Sequence, residues 1–376
     1  CFLIAFVTTG INCFGQVRVW EEELTLPTWL IDAPEVNPTF AWSSSRQEVY
    51  PYPYKETLTN KKSEATYRAC WLENEYIKVL ILPDIGGRLH GAPDKTNGYN
   101  FFYWQPTIKP ALVGMSGAWI SGGIEWNFPH GHRPTGFSQV QYRLVENSDG
   151  SKTVWVGEPE LVHRMRWIVG LTVFPGKSII EAKVRLMNSS PLRHSFQMWT
   201  TTAVNANDDY QAIFPTRVMT GHGKHEYFHW PVDKGVDISW WKNVPNAASF
   251  FAVEPGEFFG GYDNGKNAGT VITGDHNIVN GKKFWTWGTS PSGRIWEPIL
   301  TDGQGPYLEP QAGAYSDNQP DYHWIEPGEI KVYSHYFFPV RDIGPFKMAN
   351  TNGALNLEVK GSTIHVGAYT TQPLRS

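Results

Sequence analysis

The sequence predicts an all-β sandwich or barrel of many antiparallel strands, and three observations carry that prediction. Short apolar and aromatic runs of strand length recur along the 376 residues, several of them in alternating pattern. Between them, 36 Gly and 27 Pro supply turn punctuation at a density that interrupts any long helix. Helical periodicity with caps is nearly absent; the best candidate is a short turn over residues 293–300.

The elements follow in chain order. Residues 1–16 are an apolar run followed by small and polar residues, the pattern of a secretory signal, with the mature chain expected to begin near Gln16 or Val17. A secreted or periplasmic location follows as an expectation. Acylation of Cys13 would make a lipoprotein, although Gly10-Ile11-Asn12 is a poor lead-in. Residues 17–68 are rich in Pro and Tyr and are expected to form lead-in strands ending in a charged loop at 60–64. Residues 69–340 are expected to be one continuous sandwich. Its first run, 75–83, carries Ile77, Val79, Leu80, Ile81 and Leu82 and stops at Pro83-Asp84. Residues 138–146 alternate Val140, Tyr142 and Leu144, turn at 147–151, and resume with Val154 and Val156, which predicts a hairpin. A second hairpin is predicted from 167–174 and 178–187 around Pro175-Gly176, with later strands at 249–253, 269–273, 283–287 and 329–338. Residues 341–376 read as the start of a further β module, with strand runs at 354–359 and 362–366.

Composition bounds the function. A net charge of −4 offers no basic footprint, so nucleic acid is not the expected partner. No stretch after the N-terminal run approaches the ~20 apolar residues of a membrane span. With Cys1 and Cys13 inside the expected signal, Cys70 stands alone between Ala69 and Trp71 as a buried apolar residue, and no disulfide framework exists. The 17 Trp, 17 Tyr and 20 Phe build cores, and in a chain of low charge they also suit a surface that stacks on sugar rings.

Chemistry concentrates in two segments. Residues 122–132 read Gly-Gly-Ile-Glu-Trp-Asn-Phe-Pro-His-Gly-His and bring together Glu125, Asn127, His130 and His132, with Trp126 as a candidate stacking ring. On a strand, His130 and His132 would share one face, suited to proton transfer, hydroxyl binding or a shared metal. No further Cys or His stands at finger-like spacing, so neither metal nor cofactor is expected. Arg133 is a candidate ligand for substrate or a partner for Glu125. The second segment, residues 305–313, sets Glu309 between Leu308 and Pro310 with the amide of Gln311 beside it.

Leu308-Glu309-Pro310-Gln311 resembles the motif that carries the catalytic base of galactose mutarotases (aldose 1-epimerases). Arg193-His194-Ser195-Phe196 resembles their Asn-His-Ser-Tyr motif, whose histidine is the general acid, and Gly86-Gly87-Arg88-Leu89 resembles an early glycine-arginine turn. The resemblance spans roughly residues 70–340 and implies a galactose mutarotase-like antiparallel β-supersandwich. A nearer resemblance is to an uncharacterised bacterial family of the same fold, carried by Gly86-Gly87-Arg88, Lys109-Pro110 and residues 117–128 with their Gly-Gly-Ile-Glu-Trp-Asn-Phe core. What the resemblance implies is a carbohydrate-binding domain acting at an anomeric centre or glycosidic bond. Glu309 would be the base, His130, His132 or His194 the acid, and Glu125 a second carboxylate. Arg88, Trp126, Asn127, Arg133 and Gln311 would contact substrate. The alternative is a non-catalytic carbohydrate-binding module of a larger glycan-processing protein.

Overall fold

The structure, a computed structural model, describes residues 15–34, 49–114, 116–222, 226–319 and 321–374. Two antiparallel sheets dominate it. The larger has 12 strands. From one edge it runs through Arg18–Ile31, Leu58–Glu73, Lys78–Leu82, Arg88–Gly91 and Ile124–Asn127. It continues through Met198–Thr202, Tyr307–Ala314, Gly281–Thr286, Ala248–Ala252, Val218–Gly221 and Tyr227–His229. The smaller sheet has eight strands, with Ile180–Asn188 and Ile330–Arg341 at its centre. Both hairpins expected from the sequence are in it: Gln141–Glu146 with Lys152–Pro159, and Met165–Val173 with Ile180–Asn188. The expected helical turn is present as Pro291–Arg294 and Trp296–Leu300. The all-β antiparallel architecture is therefore the one the sequence predicts.

Successive side chains on a strand point to opposite faces, and that period of two divides the large sheet into a core side and an outer side. Ile124, Trp126, Met198, Leu308, Ala312 and Phe284 point inward. There they meet Val156, Trp167, Val169, Val184 and Phe337 of the smaller sheet in one continuous buried cluster. Burying apolar surface contributes about 25 cal/mol per Å2, which makes this seam the main source of stability. Cys70 lies in it, fully buried and unpaired, as expected.

The 17–68 segment is built into the large sheet: Arg18–Ile31 and Leu58–Glu73 form a long hairpin whose second strand also pairs Lys78–Leu82. The boundary expected at residue 68 falls inside the Leu58–Glu73 strand. The expected signal at 1–16 lies almost wholly outside the described residues. Beyond residue 340, Met348–Asn350, Gly353–Lys360 and Thr363–Thr370 form a three-stranded sheet. Phe346, Ala349 and Ala354 seat it on Val271, Phe338 and Val340 of the smaller sheet. Leu355, Leu357, Val359, Ile364 and Val366 are exposed on it.

The Gly122-Gly123 pair has a local cause. Both residues adopt positive φ, at 93° and 57°. A Cβ at Gly123 would sit 2.0 Å from the Leu89 carbonyl oxygen, so only glycine admits this approach ahead of Glu125.

Candidate functional site

Four adjacent strands of the large sheet carry most of the outer-face chemistry. The register sets Asn127 opposite Trp199, and Glu125 opposite Thr201. Gly313 lies opposite both Trp199 and Gly281, Gln311 opposite Lys283, and Glu309 opposite Trp285. Directly opposed residues share a face, so all of these line one surface. Gly281 and Gly313 make room for the Trp199 indole, since a Cβ at either would meet it at 2.7 Å.

Glu309 is 6% exposed and accepts a hydrogen bond from the Gln311 amide at 2.6 Å. Burial pushes its carboxyl up to about 7, against the attraction of Lys283 and His132. Lys283 is driven the opposite way, down to about 8, by the same loss of water. Its ammonium donates to Gln319 Oε1 at 3.0 Å and lies 5.4 Å from the Phe251 ring centroid.

Glu125 has the opposite character. Burial alone would raise its pKa, but His132, Arg88 and the Trp119 indole outweigh that cost and hold the carboxylate down at about 2. Trp119 Nε1 donates to Glu125 Oε2 at 2.8 Å, and His132 Nδ1 donates to the same oxygen at 2.9 Å. Burial would lower the His132 pKa, yet Glu125 reverses the sign and raises it, with Glu309 adding to the attraction. One carboxylate is thus held ionised and orients an imidazole whose pKa it raises, while the other is poised near neutrality. Environments that push two carboxyl groups apart in this way separate acid/base roles.

Three polar atoms here are buried without a hydrogen-bond partner among the described residues: Asn127 Oδ1, Trp199 Nε1 and Arg88 Nε. Asn127 commits its amide nitrogen to Thr201 Oγ1 at 2.8 Å. Arg88 spends its two terminal nitrogens on the Gly122 and Ile120 carbonyls. A buried polar group left unpaired costs on the order of 1–3 kcal/mol, so three around one surface call for a polar ligand.

The structure brings Glu309, Gln311, Glu125, His132, Asn127 and Arg88 together, and it corrects four other expectations. His130 and His132 do not share a strand face. The strand stops at Asn127, and Gly131 at φ 90° sends the two rings apart. His130 Nε2 donates to the Ser195 carbonyl at 2.8 Å, away from Glu125. His194 lies in the separate His194–Phe196 strand paired with His323–Ile325, and its ring meets His163 at 5.7 Å. Trp126 is fully buried on the core side, with its indole donating to the Gly87 carbonyl at 3.0 Å, so it offers no stacking surface. Arg133 pairs with Glu158 at 2.7 Å and also donates to the Trp126 and Gly86 carbonyls, a clamp between strand ends with no bond to Glu125.

Sequence reasoning missed Lys283, Trp119, Trp199 and Thr201. Alternation was the available signal, since Lys283 and Trp285 stand two apart, as do Glu309 and Gln311. Among the described residues no group of three or more His, Cys, Asp or Glu side chains is arranged to hold a metal ion.

Two packed antiparallel sheets with this strand order define a galactose mutarotase-like fold. The structure of a galactose mutarotase-like protein from Clostridium acetobutylicum superposes with a TM-score of 0.51 at 12% identity, covering 73% of this chain and 96% of that one. A TPR-domain containing protein from Parabacteroides distasonis matches with a TM-score of 0.78 at 24% identity over 86% of this chain. This chain spans 55% of the length of that relative. The family model described as domain of unknown function (DUF5107) matches residues 44–340, and the chain belongs to that family.

Proposed function

We propose that the protein binds a carbohydrate on the outer face of its large sheet and performs acid/base chemistry at an anomeric centre or glycosidic bond. The observation that carries this reading is the opposite displacement of two carboxyls on one face, Glu309 raised and Glu125 lowered, with the His132 imidazole raised by both. Ring opening needs a base to take the anomeric hydroxyl proton and an acid to protonate the ring oxygen as the C1–O bond breaks. Glu309 as carboxylate is the base, and the His132 imidazolium is the acid, oriented by Glu125. Asn127, Trp199 and Arg88 offer the ligand the polar atoms that the protein leaves unpaired. The fold family supports a sugar ligand by analogy. The apolar segment at residues 1–16 supports an exported location.

A second reading is a glycan-binding module without turnover, favoured by the match to little more than half of a larger TPR-domain containing protein. Screening a glycan library, then following bound sugars by NMR for anomer exchange and bond cleavage, separates the two. Glu309→Gln is expected to abolish turnover while leaving affinity within a few-fold of the parent. Unchanged turnover in that variant overturns the assignment of the base. A sugar that binds and is never altered selects the module.

A further inference from the structure

Beside His132 the protein holds a cavity of about 420 Å3 that the chemistry above does not use. Its volume falls within the ~300–1,000 Å3 of ordinary small-molecule sites. Its walls come from the loop after Asn127, the loop before Met165, Ser195 of the small two-stranded sheet, and the rings of Tyr52 and Tyr322. His132 is one of its lining residues and also holds Glu125, so a single imidazole stands between this cavity and the sheet face.

The groups around the cavity indicate what it accepts. Its carboxylates are spent inward. Glu158 accepts from Arg133 at 2.7 Å and from Thr135 at 2.5 Å, and Glu160 accepts the Val162 and His163 amides at 2.7 and 2.8 Å. The His130 and His163 rings pack edge to face at 4.5 Å, with Tyr322 5.4 Å from His130. Burial holds His130 below the usual histidine value, and the neighbouring His163 adds to that. Beside His132 and the internally paired Arg133, Glu158 and Glu160, the wall presents the His130 and His163 imidazoles and the Tyr52 and Tyr322 phenols as donors and acceptors. His163 Nδ1 is buried and faces the Glu160 carboxylate at 3.5 Å without a close hydrogen bond. Tyr322, 49% exposed, provides an accessible ring for stacking. Imidazole and phenol groups beside an exposed ring match the hydroxyls and the apolar face of a neutral polyol.

We infer that this cavity is a second subsite for a neutral sugar unit, so that the ligand is an oligosaccharide with one ring over Glu309 and the next beyond His132. The inference rests on the carbohydrate reading of the Glu309 face. It adds that chain length is read by the 128–135 and 158–163 loops.

The test is calorimetry with glucose, galactose and mannose against maltose, cellobiose, lactose and mannobiose, on the parent protein and two variants. Val162→Trp fills the cavity without touching Glu309, Glu125 or His132. His163→Ala removes an imidazole from the wall and guards against a folding defect in the first variant, with melting curves recorded for both. The expected result is a disaccharide that binds the parent at least tenfold tighter than its component monosaccharide. Val162→Trp then erases that advantage, His163→Ala reduces it, and monosaccharide affinity stays unchanged in both. Equal affinities for the two lengths in the parent, or an advantage preserved in both variants, overturns the subsite while leaving the Glu309 reading intact. No binding of any sugar overturns the Glu309 reading itself, and the subsite falls with it.

Discussion

Glu125 Oε2 receives two hydrogen bonds, from His132 Nδ1 at 2.9 Å and Trp119 Nε1 at 2.8 Å, and it is this carboxylate that raises the His132 pKa. Replacing it tests the division of labour. Glu125→Gln preserves shape and removes the charge, so the His132 pKa should fall below its parent value. Histidine NMR titration is the direct readout. Any turnover that depends on imidazolium should lose its alkaline limb at correspondingly lower pH, with a drop in kcat of roughly 10²–10⁴. An unshifted His132 titration would show that the ring is charged by something other than Glu125.

Glu309 ties stability to pH. Its folded pKa of about 7 lies above the ordinary 4.5, so the folded protein binds a proton that the unfolded chain has released. Its contribution is fully present below about pH 4.5 and is lost as pH rises through 7. The size is roughly 3–3.5 kcal/mol at most. Lys283, lowered to about 8, begins to titrate only at the top of that window. Glu309→Gln should therefore match the parent at pH 4.5 and be the more stable of the two at pH 8. Urea melts at the two pH values decide it; equal stability losses across the window in both proteins contradict the buried, poised carboxyl.

Much of the fold was legible because its strands obey period two. Val154 and Val156 state their face in their spacing, the apolar run Val79 to Leu82 marks a strand buried on both faces, and the turns at 147–151 and 175–176 state where the chain reverses. Glu309 and Gln311 were legible for the same reason, as alternate residues on one strand. The acid was not. Which imidazole faces Glu309 depends on where the chain leaves the sheet after Asn127, and that is set by Gly131 and the clamp of Arg133 on Glu158. Trp126 shows that parity should have been trusted over proximity. It lies between Glu125 and Asn127, so a strand that shows those two outward must bury it. Trp199 became visible only with the register, since its place depends on two glycines, Gly281 and Gly313, remote in sequence.

Those glycines offer a packing test. At Gly281 an added Cβ would lie 2.5 Å from the Ser316 carbonyl oxygen and 2.7 Å from Trp199, and a backbone neighbour cannot yield cheaply. Gly281→Ala should cost about 1–3 kcal/mol. It should also displace the indole, shifting tryptophan fluorescence and weakening binding of whatever sugar the parent binds. Unchanged stability and spectrum would mean that the strands can separate to admit the methyl group.

Arg133 separates a structural role from a ligand-binding one most sharply. The guanidinium donates to Glu158 Oε1, Thr135 Oγ1 and the carbonyls of Trp126 and Gly86, and it lies 4.2 Å from the Trp167 ring centroid. Removing one member of a buried pair strands the other charge, at a cost of about 3–5 kcal/mol. Arg133→Met should therefore lower the unfolding free energy from urea melts by that amount. Adding Glu158→Leu should recover a large part of it, because the orphaned carboxylate is gone. In the double variant, monosaccharide affinity should stay within a few-fold of the parent, since Arg133 makes no hydrogen bond to the Glu125, His132 and Glu309 group. Affinity lost in the double variant while its stability is recovered would return Arg133 to the ligand-binding role that the sequence first suggested for it.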